Sequence, residues 1–477
     1  MADAPFIYRF ARDLRLDDHA GLAAAAAQGA IVPLLAIDRA LAARLARSPR
    51  RAAFFCASAR ALDAELRERG SRLIVRRGPV GTTIKGVARA TGAAGAAWSA
   101  AYDGGTMHAD ERLQSELEEA GLTASIVHDA PAIAPEETAA ARSIAGEGYR
   151  AFAPYYEVWR GLPVASHEHP LLVRFAGDDE AARGEALPQA DEFGSPEREV
   201  AAGPAVARRA LERFLRESAG QYAVAATAPW DDRTSHLSAH LSFGAISARS
   251  AVAAARQRLE DPFLLSEERF SLRLFLRALA RRDFFLQLSW FHPRSELEPL
   301  QEKMRKFSFA RSHPGLEAWR AGATGFPLVD AGIRQLHETG RMHPHVRAVA
   351  AAFLCFDLGV DWRIGRDDWD RRLIEDDPAL ATGNWQWIAA VGADMAQYPR
   401  IYNPERQRRR YDPDGVYVRQ WVPELERVPM ANWRGARADS PQLAFDLSSP
   451  GGYPQPVVDH GRAAREFLRR YRAFASA

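Results

Sequence analysis

At 477 residues the chain exceeds one ordinary domain, so two or three are expected. Its 47% apolar and 26% charged content describe a globular protein and exclude a disordered one. A formal charge of +2, from 63 basic and 61 acidic residues, leaves nucleic acid open as a partner, because a local basic face can supply the attraction.

Nearly all the basic residues are arginine, whose planar fork suits phosphate or carboxylate, although an Arg- and Ala-rich composition also marks a GC-rich genome. The two cysteines, Cys56 and Cys355, lie in apolar stretches. That argues against a disulfide framework and rules out a four-cysteine iron–sulfur cluster. The longest nearly apolar run, 348–356, is far too short to span a bilayer, and the N-terminus lacks a signal-peptide pattern. A cytoplasmic protein without a membrane partner is expected.

In chain order, short apolar runs at 6–10, 31–37, 72–75, 94–98 and 124–127 read as buried strands. Helical patterns at 21–27, 50–69, 86–91 and 109–121 separate them. This alternation predicts an α/β doubly wound parallel sheet over residues 1–130. No G-x-G-x-x-G follows the first strand, so the usual dinucleotide fingerprint is absent. Residues 131–204, rich in Pro, Gly and acid, read as an interdomain connection with few strong elements. From 205 to 477 the pattern is helical, at 205–218, 247–259, 267–291, 325–338, 347–358 and 461–474, and predicts a large all-α domain.

Several segments carry chemistry. Thr234-Ser-His-Leu-Ser238, with Gly244 and Ser247, sets hydroxyls ahead of an apolar-periodic helix, where they can cap the helix or bind a phosphate. Arg277, Arg281 and Arg282 lie on one helix, either as a solvated basic face or as phosphate contacts. His343 and His345, between Arg341 and Arg347, have no carboxylate or thiolate nearby at ligand spacing, so no metal is expected and phosphate or lesion contacts fit better. Trp385-Gln-Trp387, just past Glu375-Asp376-Asp377, suits a site that fixes a polar cofactor and passes electrons through aromatic rings, or the end of a Trp-rich core helix. Residues 400–425 read as a basic loop interleaved with aromatics, a composition that suits a nucleic-acid surface or a solvated loop.

Taken together, these segments resemble the DNA photolyase/cryptochrome family over almost the whole chain. Phe10-Ala-Arg-Asp-Leu-Arg-Leu-Asp-Asp18 looks like the family's F-R-x-D-L-R-x-x-D. Further matches are Thr234–Ser238 with Gly244 and Ser247-Ala-Arg249, Asp361-Trp-Arg363, Trp385-Gln-Trp387, Arg400-Ile-Tyr-Asn-Pro404, Arg419-Gln-Trp-Val-Pro-Glu-Leu425 and Tyr453-Pro-Gln-Pro-Val-Val-Asp-His460. The resemblance implies an antenna-type α/β domain and a helical FAD-binding domain. It implies that Tyr222, Thr234, Ser235, His236, Leu237 and Ser238 hold the FAD phosphates and ribose. Arg282 and Arg347 would line the flavin pocket, with Glu375, Asp376 and Asp377 beside the isoalloxazine.

Trp385 and Trp362 match the first members of the tryptophan chain that photoreduces the flavin. Trp387 matches an indole that wedges a flipped-out pyrimidine dimer. Arg281, His345, Trp387 and Arg400 would contact DNA. The implied activity is FAD-dependent, blue-light-driven repair of pyrimidine dimers by a monomer acting on damaged DNA.

The chain departs from the family pattern around the lesion. Arg281 stands where the partner indole of the wedge is found, Ala278 where a lesion-binding carboxylate is found, and Pro344 and Ala348 where an Asn and a Met are found. Ala381 replaces the Asn opposite the flavin N5, and Phe309 the third tryptophan of the chain. Pro344 also replaces the second histidine of the (6-4) pair. Asp103-Gly-Gly-Thr-Met107 lacks the aromatic and acidic residues of an antenna site, so the antenna chromophore is left unassigned. These changes keep open a cryptochrome-like blue-light photoreceptor, or a flavoprotein of another redox activity, beside the repair enzyme.

Overall fold

The computed structural model describes residues 4–141, 147–164, 174–175, 184–196, 200–394, 399–433 and 452–475. Two compact units divide the chain. The first comprises Met1–Gly220, Ser235–Glu296 and Ile374–Leu380, and the second Gln221–Thr234, Leu297–Leu373 and Ala381–Ala477.

The first unit is built on five parallel strands, β1 (Phe6–Phe10), β2 (Ile31–Ile37), β3 (Ile74–Arg77), β4 (Gly95–Ser99) and β5 (Thr123–Val127), in the order β3-β2-β1-β4-β5. This is the doubly wound arrangement, with its switch point between β1 and β4. The expected α/β parallel sheet is found. β1 and β2 fall on the expected residues because a parallel strand covered on both faces leaves an unbroken apolar run.

β3 starts two residues later than expected. Asp63 accepts the Leu73 N–H at 2.9 Å and holds the chain before the strand, which then pairs with β2 from Leu34 opposite Ile74. The helix expected at 86–91 begins at Val80 and ends where Gly92 turns left-handed at φ 69°. An unexpected helix, Arg39–Ala46, is capped by Asp38, which accepts the Leu41 N–H at 2.8 Å.

Residues 131–204 hold more structure than their composition indicates. Helices Pro135–Ala140 and Phe152–Gly161 form there, and Phe152, Tyr155 and Trp159 are buried at helical spacing. Asp283 ties them to helix Ser266–Phe291 by accepting the Ala132 N–H and the Trp159 Nε1–H, both at 2.9 Å. Helices Pro204–Glu217, Ala248–Leu259 and Ser266–Phe291 belong to this first unit. Periodicity marks a helix but does not say which core it covers.

The second unit is helical. Its core gathers Trp319, Trp362, Trp369 and Trp385 with Val349, Phe353 and Phe356. The helix expected at 347–358 is Pro344–Ala352 continued by a π turn, Phe353–Asp357. The expected loop 400–425 is instead two helices, Pro404–Tyr411 and Val416–Trp421. Asn403 caps the first by accepting the Arg406 N–H at 2.8 Å, and Pro404 fills its first position, so the Asn-Pro pair is a helix start. Among the described residues no helix is long and apolar enough to cross a membrane.

Candidate functional site

In the first unit, the run after β1 forms a buried lattice of charge. Asp13 accepts from Tyr8 Oη at 2.6 Å, Ser99 Oγ at 2.7 Å and the Ala11 N–H at 2.7 Å. Arg15 and Arg249 both donate to Asp129 at 2.7 Å, and Arg249 also reaches Asp18 at 3.2 Å. Burial opposes the charge on Asp129, but Arg15, His19 and Arg249 hold its carboxyl well below the usual carboxylate range. Gly244 permits this closeness. Its φ is +59°, and a Cβ there would meet the Asp13 Cα at 2.5 Å.

The acidic stretch lies in the same unit. Asp376 receives Arg44 Nη2 at 2.6 Å and Arg44 Nε at 3.1 Å, and its backbone N–H donates to Ser242 Oγ at 2.7 Å. Burial opposes its charge, yet Arg44, Arg12 and Arg51 hold its carboxyl well below the usual range. Asp377 differs, because burial raises its pKa against the pull of Arg282, which lies 3.9 Å away. Glu375 gives its backbone carbonyl to Arg51 at 3.1 Å.

Arg282 is itself buried and donates to the Ala130 carbonyl at 2.7 Å. Arg12, Asp103, Ser242, Arg282, Asp376 and Asp377 line a cavity of about 90 Å³ at the sheet's switch point. Ligand pockets are usually several hundred Å³, so this one is small. Asp103 also caps helix Gly104–Glu119 by accepting the Thr106 N–H at 3.0 Å.

The hydroxyl cluster separates into two roles. Ser247 caps Ala248–Leu259, accepting the Ser250 N–H at 2.9 Å. The hydroxyls of Thr234, Ser235 and Ser238, by contrast, make no hydrogen bond among the described residues, and the three residues are partly or fully exposed. His236 takes a left-handed φ of 52°, Leu237 is buried, and helix Ser238–Ser242 runs only five residues. Unspent hydroxyls of this kind fit the phosphates and ribose of a dinucleotide.

In the first unit, the Arg281 guanidinium lies 4.4 Å from the Phe152 ring centre, and Arg277 lies over Phe152 and Tyr156 at 5.1 and 5.2 Å. Ala278 is exposed beside them.

In the second unit, Tyr222 opens helix Tyr222–Ala225, and burial raises its phenol pKa. Arg347 donates Nε to the Met342 carbonyl at 2.9 Å. His343 caps its helix, and its Nε2 lies 2.8 Å from the Ala225 carbonyl. His345 Nε2 lies 3.0 Å from Gln407 Oε1, and its ring centre is 4.0 Å from that of Tyr411. Burial, with help from His343 and Arg410, pushes the His345 pKa down to about 4.

Trp387 is half-buried, with the Arg400 guanidinium 5.5 Å from its ring. Between the two indoles of the Trp-Gln-Trp run, Gln386 is structural. It accepts the Leu300 N–H and donates to the Glu298 carbonyl, both at 2.9 Å.

The nearest aromatic partners of the two tryptophans lie within the second unit. Trp385 and Trp362 are both buried, yet among the described residues they make no ring contact with each other. Trp385 instead meets Trp369 at 4.6 Å, and Trp369 stacks on Trp319 at 5.8 Å and 15°. Sequence reasoning passed over Trp369 and Trp319. The available signal was that Trp369 lies seven positions after Trp362, on the same face of helix Trp362–Asp370.

The family model described as the FAD binding domain of DNA photolyase matches residues 275–473, and the DNA photolyase model matches residues 6–171. A deoxyribodipyrimidine photo-lyase of Halobacterium salinarum is 34% identical, over 96% of this chain and 97% of that protein. The structure of a bacterial class III photolyase from Agrobacterium tumefaciens superposes with a TM-score of 0.85 at 28% identity, covering 100% of this chain and 99% of that one. A Synechocystis cryptochrome shares the fold, with a TM-score of 0.85 at 22% identity over 98% and 99% of the two chains. The chain belongs to the DNA photolyase/cryptochrome family. Residues 275–473 are the FAD-binding domain of that family.

Proposed function

We propose that this protein is a deoxyribodipyrimidine photolyase that uses FAD and blue light to repair pyrimidine dimers in DNA. The observation that carries the reading is the likeness to the Halobacterium enzyme along 96% of the chain. In this reading residues 1–130 are the antenna-type domain, 131–204 the connection and 205–477 the FAD-binding part. The FAD-binding residues are Tyr222, Thr234 to Ser238, Arg282, Arg347 and Glu375 to Asp377. The chemistry that bound FAD supplies is light-driven donation of an electron to the lesion, which returns after the cyclobutane ring opens.

The chain's own residues bind, orient and keep water out. Thr234, Ser235 and Ser238 offer hydroxyls without a hydrogen-bond partner among the described residues. Trp387 and Arg400 present a ring and a charge to a single extruded lesion, and the exposed Arg406, Arg409 and Arg410 of helix Pro404–Tyr411 track the backbone. His345 stays neutral at physiological pH and contacts DNA as a hydrogen-bonding group. The protein acts as a monomer in the cytoplasm.

A second reading, a photoreceptor that binds FAD without repairing DNA, is favoured by the missing side chains at Ala278 and Ala381. The deciding experiment reduces the bound FAD chemically, illuminates with blue light, and scores oligonucleotides carrying a cyclobutane dimer or a (6-4) product. Restoration of the dimer is expected. Failure on both lesions, with FAD bound and reduced, leaves the photoreceptor.

A further inference from the structure

We infer that helix His460–Ala475 of the second unit carries a further DNA-binding surface, which holds the phosphate backbone of intact duplex and takes no part in reading the lesion. That the polyanion is DNA rests on the reading above. The surface itself rests on this helix alone.

The helix divides by face. Phe467 and Tyr471 are buried, and the Phe467 ring packs against Phe307, Phe309 and Phe356 at 5.7, 6.1 and 4.8 Å. On the other side Arg462, Arg465, Arg469 and Arg472 are exposed. Their spacings of three, four and three residues keep all four on one stripe, because the helix turns once in about 3.6 residues. At about 1.5 Å per residue the stripe is roughly 15 Å long.

Its charge is one-sided. The whole chain nearly balances 63 basic residues against 61 acidic ones, yet this helix sets five arginines against the single carboxylate of Glu466. Glu466 pairs with Arg469 at 2.7 Å, and both are exposed, so the pair is weak. The hydrogen bond from Arg469, with the charges of Arg470 and Arg462 nearby, holds the Glu466 carboxyl below its ordinary value. A positive field therefore remains over the face.

The chemistry of the face selects among polyanions. An amphipathic helix that binds a lipid surface must put its apolar side into the membrane. Here that side is spent on Phe307, Phe309 and Phe356, and only charge is left outside. Every cation on the stripe is arginine, whose planar fork bonds phosphate oxygens in pairs. Duplex DNA sets a phosphate at about every 3.4 Å of axis on each strand, so the stripe spans about four. An acidic peptide offers no such fixed repeat. No aromatic ring stands among the four arginines on their face, so an extruded base has nothing there to stack on.

The stripe also lies apart from the arginines assigned above. Its helix packs on the π turn Phe353–Asp357, whereas helices Pro404–Tyr411 and Val416–Trp421 pack on helix Pro327–Thr339.

The test measures binding of the purified, FAD-loaded protein to an intact duplex of three helical turns across a range of salt. Each phosphate contact adds about 0.9 to the slope of log K against log salt. Replacing Arg462, Arg465, Arg469 and Arg472 together by Gln should lower that slope by about three to four and weaken low-salt binding by about tenfold or more. A duplex carrying a dimer should lose the same factor. Melting curves and flavin content show whether the fourfold variant folds. If it does not, Arg462→Gln with Arg465→Gln replaces it and should lower the slope by about two. Cations near a helix N-terminus oppose its dipole, so this pair can be removed without weakening the helix. An unchanged slope overturns the inference, and so does a loss confined to the damaged duplex or to vesicles of anionic phospholipid. Dimer repair is scored separately, at low salt and saturating DNA with the flavin chemically reduced. Its failure in the unaltered protein counts against the photolyase reading and leaves the salt slopes to decide the stripe.

Discussion

The two units differ in what dominates their interiors, although the first also buries Trp98 and Trp159 and the second also buries Asp330, Asp412 and Arg408. The first takes charge into its interior: Asp13, Arg15, Asp18, Arg51, Asp129, Arg249 and Asp376 are all nearly inaccessible. The second takes in indoles, with Trp319, Trp362, Trp369, Trp385 and Trp433 at or near zero exposure. A buried charge is tolerable only with its partner in place, whereas a buried indole asks mainly for close apolar neighbours. The family-like residues after β1 are therefore committed to one another.

The sharpest way to break this comparison is to remove one charge from the first unit. Asp129→Ala leaves Arg15 and Arg249 without their shared carboxylate and should cost roughly 3–5 kcal/mol in urea unfolding. Trp362→Phe in the second unit keeps an apolar ring in place and should cost less, about 1–2 kcal/mol. Equal costs would mean that the charge lattice is no more essential than ordinary packing.

Protonation gives a second separation, with opposite signs. His345 titrates near 4 in the folded second unit, against an ordinary value of 6.5. Its contribution is therefore intact above 6.5 and lost as pH falls toward 4, by at most about 3 kcal/mol. Asp283 in the first unit runs the other way. Burial lifts its carboxyl from 3.8 to about 6, so its contribution is present below 3.8 and lost as pH rises through 6. Between pH 4 and 6 the two slopes oppose each other. Unfolding measured across that range should show the wild type flattest. His345→Gln should expose the falling limb of Asp283, and Asp283→Asn the rising limb of His345. Three superimposable pH profiles would refute both assignments.

What sequence could reveal follows the same division. β1 and β2 were legible to the residue because buried parallel strands are uninterrupted apolar runs. Helix Phe152–Gly161 was hidden because Pro, Gly and acidic residues around it outweighed the spacing of Phe152, Tyr155 and Trp159. Segment 400–425 looked like a loop because its helices are too short and too basic to show an apolar period. At the candidate site, Trp385 and Trp387 stood out as a local pair. The Trp369–Trp319 stack did not, since fifty residues separate its members and only packing brings them together. Nor could spacing tell that Ser247 is spent on a cap while Thr234, Ser235 and Ser238 are not.

The smallest expected effect concerns how the two units serve DNA, and it turns on Arg281. Had this guanidinium replaced the missing wedge indole, its planar face would be open to a base. One face is instead covered by Phe152 at 4.4 Å, and Arg277 shares the same aromatic platform. Arg281 is thereby held as a fixed positive charge, and the expected outcome is that it contacts the phosphate backbone and not the lesion. Arg281→Ala should weaken binding to damaged and intact duplex alike by about 1 kcal/mol and lower the salt slope by about one. Trp387→Ala should instead remove about 1–3 kcal/mol from the damaged duplex alone, because only an extruded base can stack on its half-buried ring. Titrations of both variants on both duplexes at two salt concentrations separate the cases. A larger loss on damaged DNA for Arg281→Ala would move that guanidinium onto the lesion and give the first unit a direct part in recognising it.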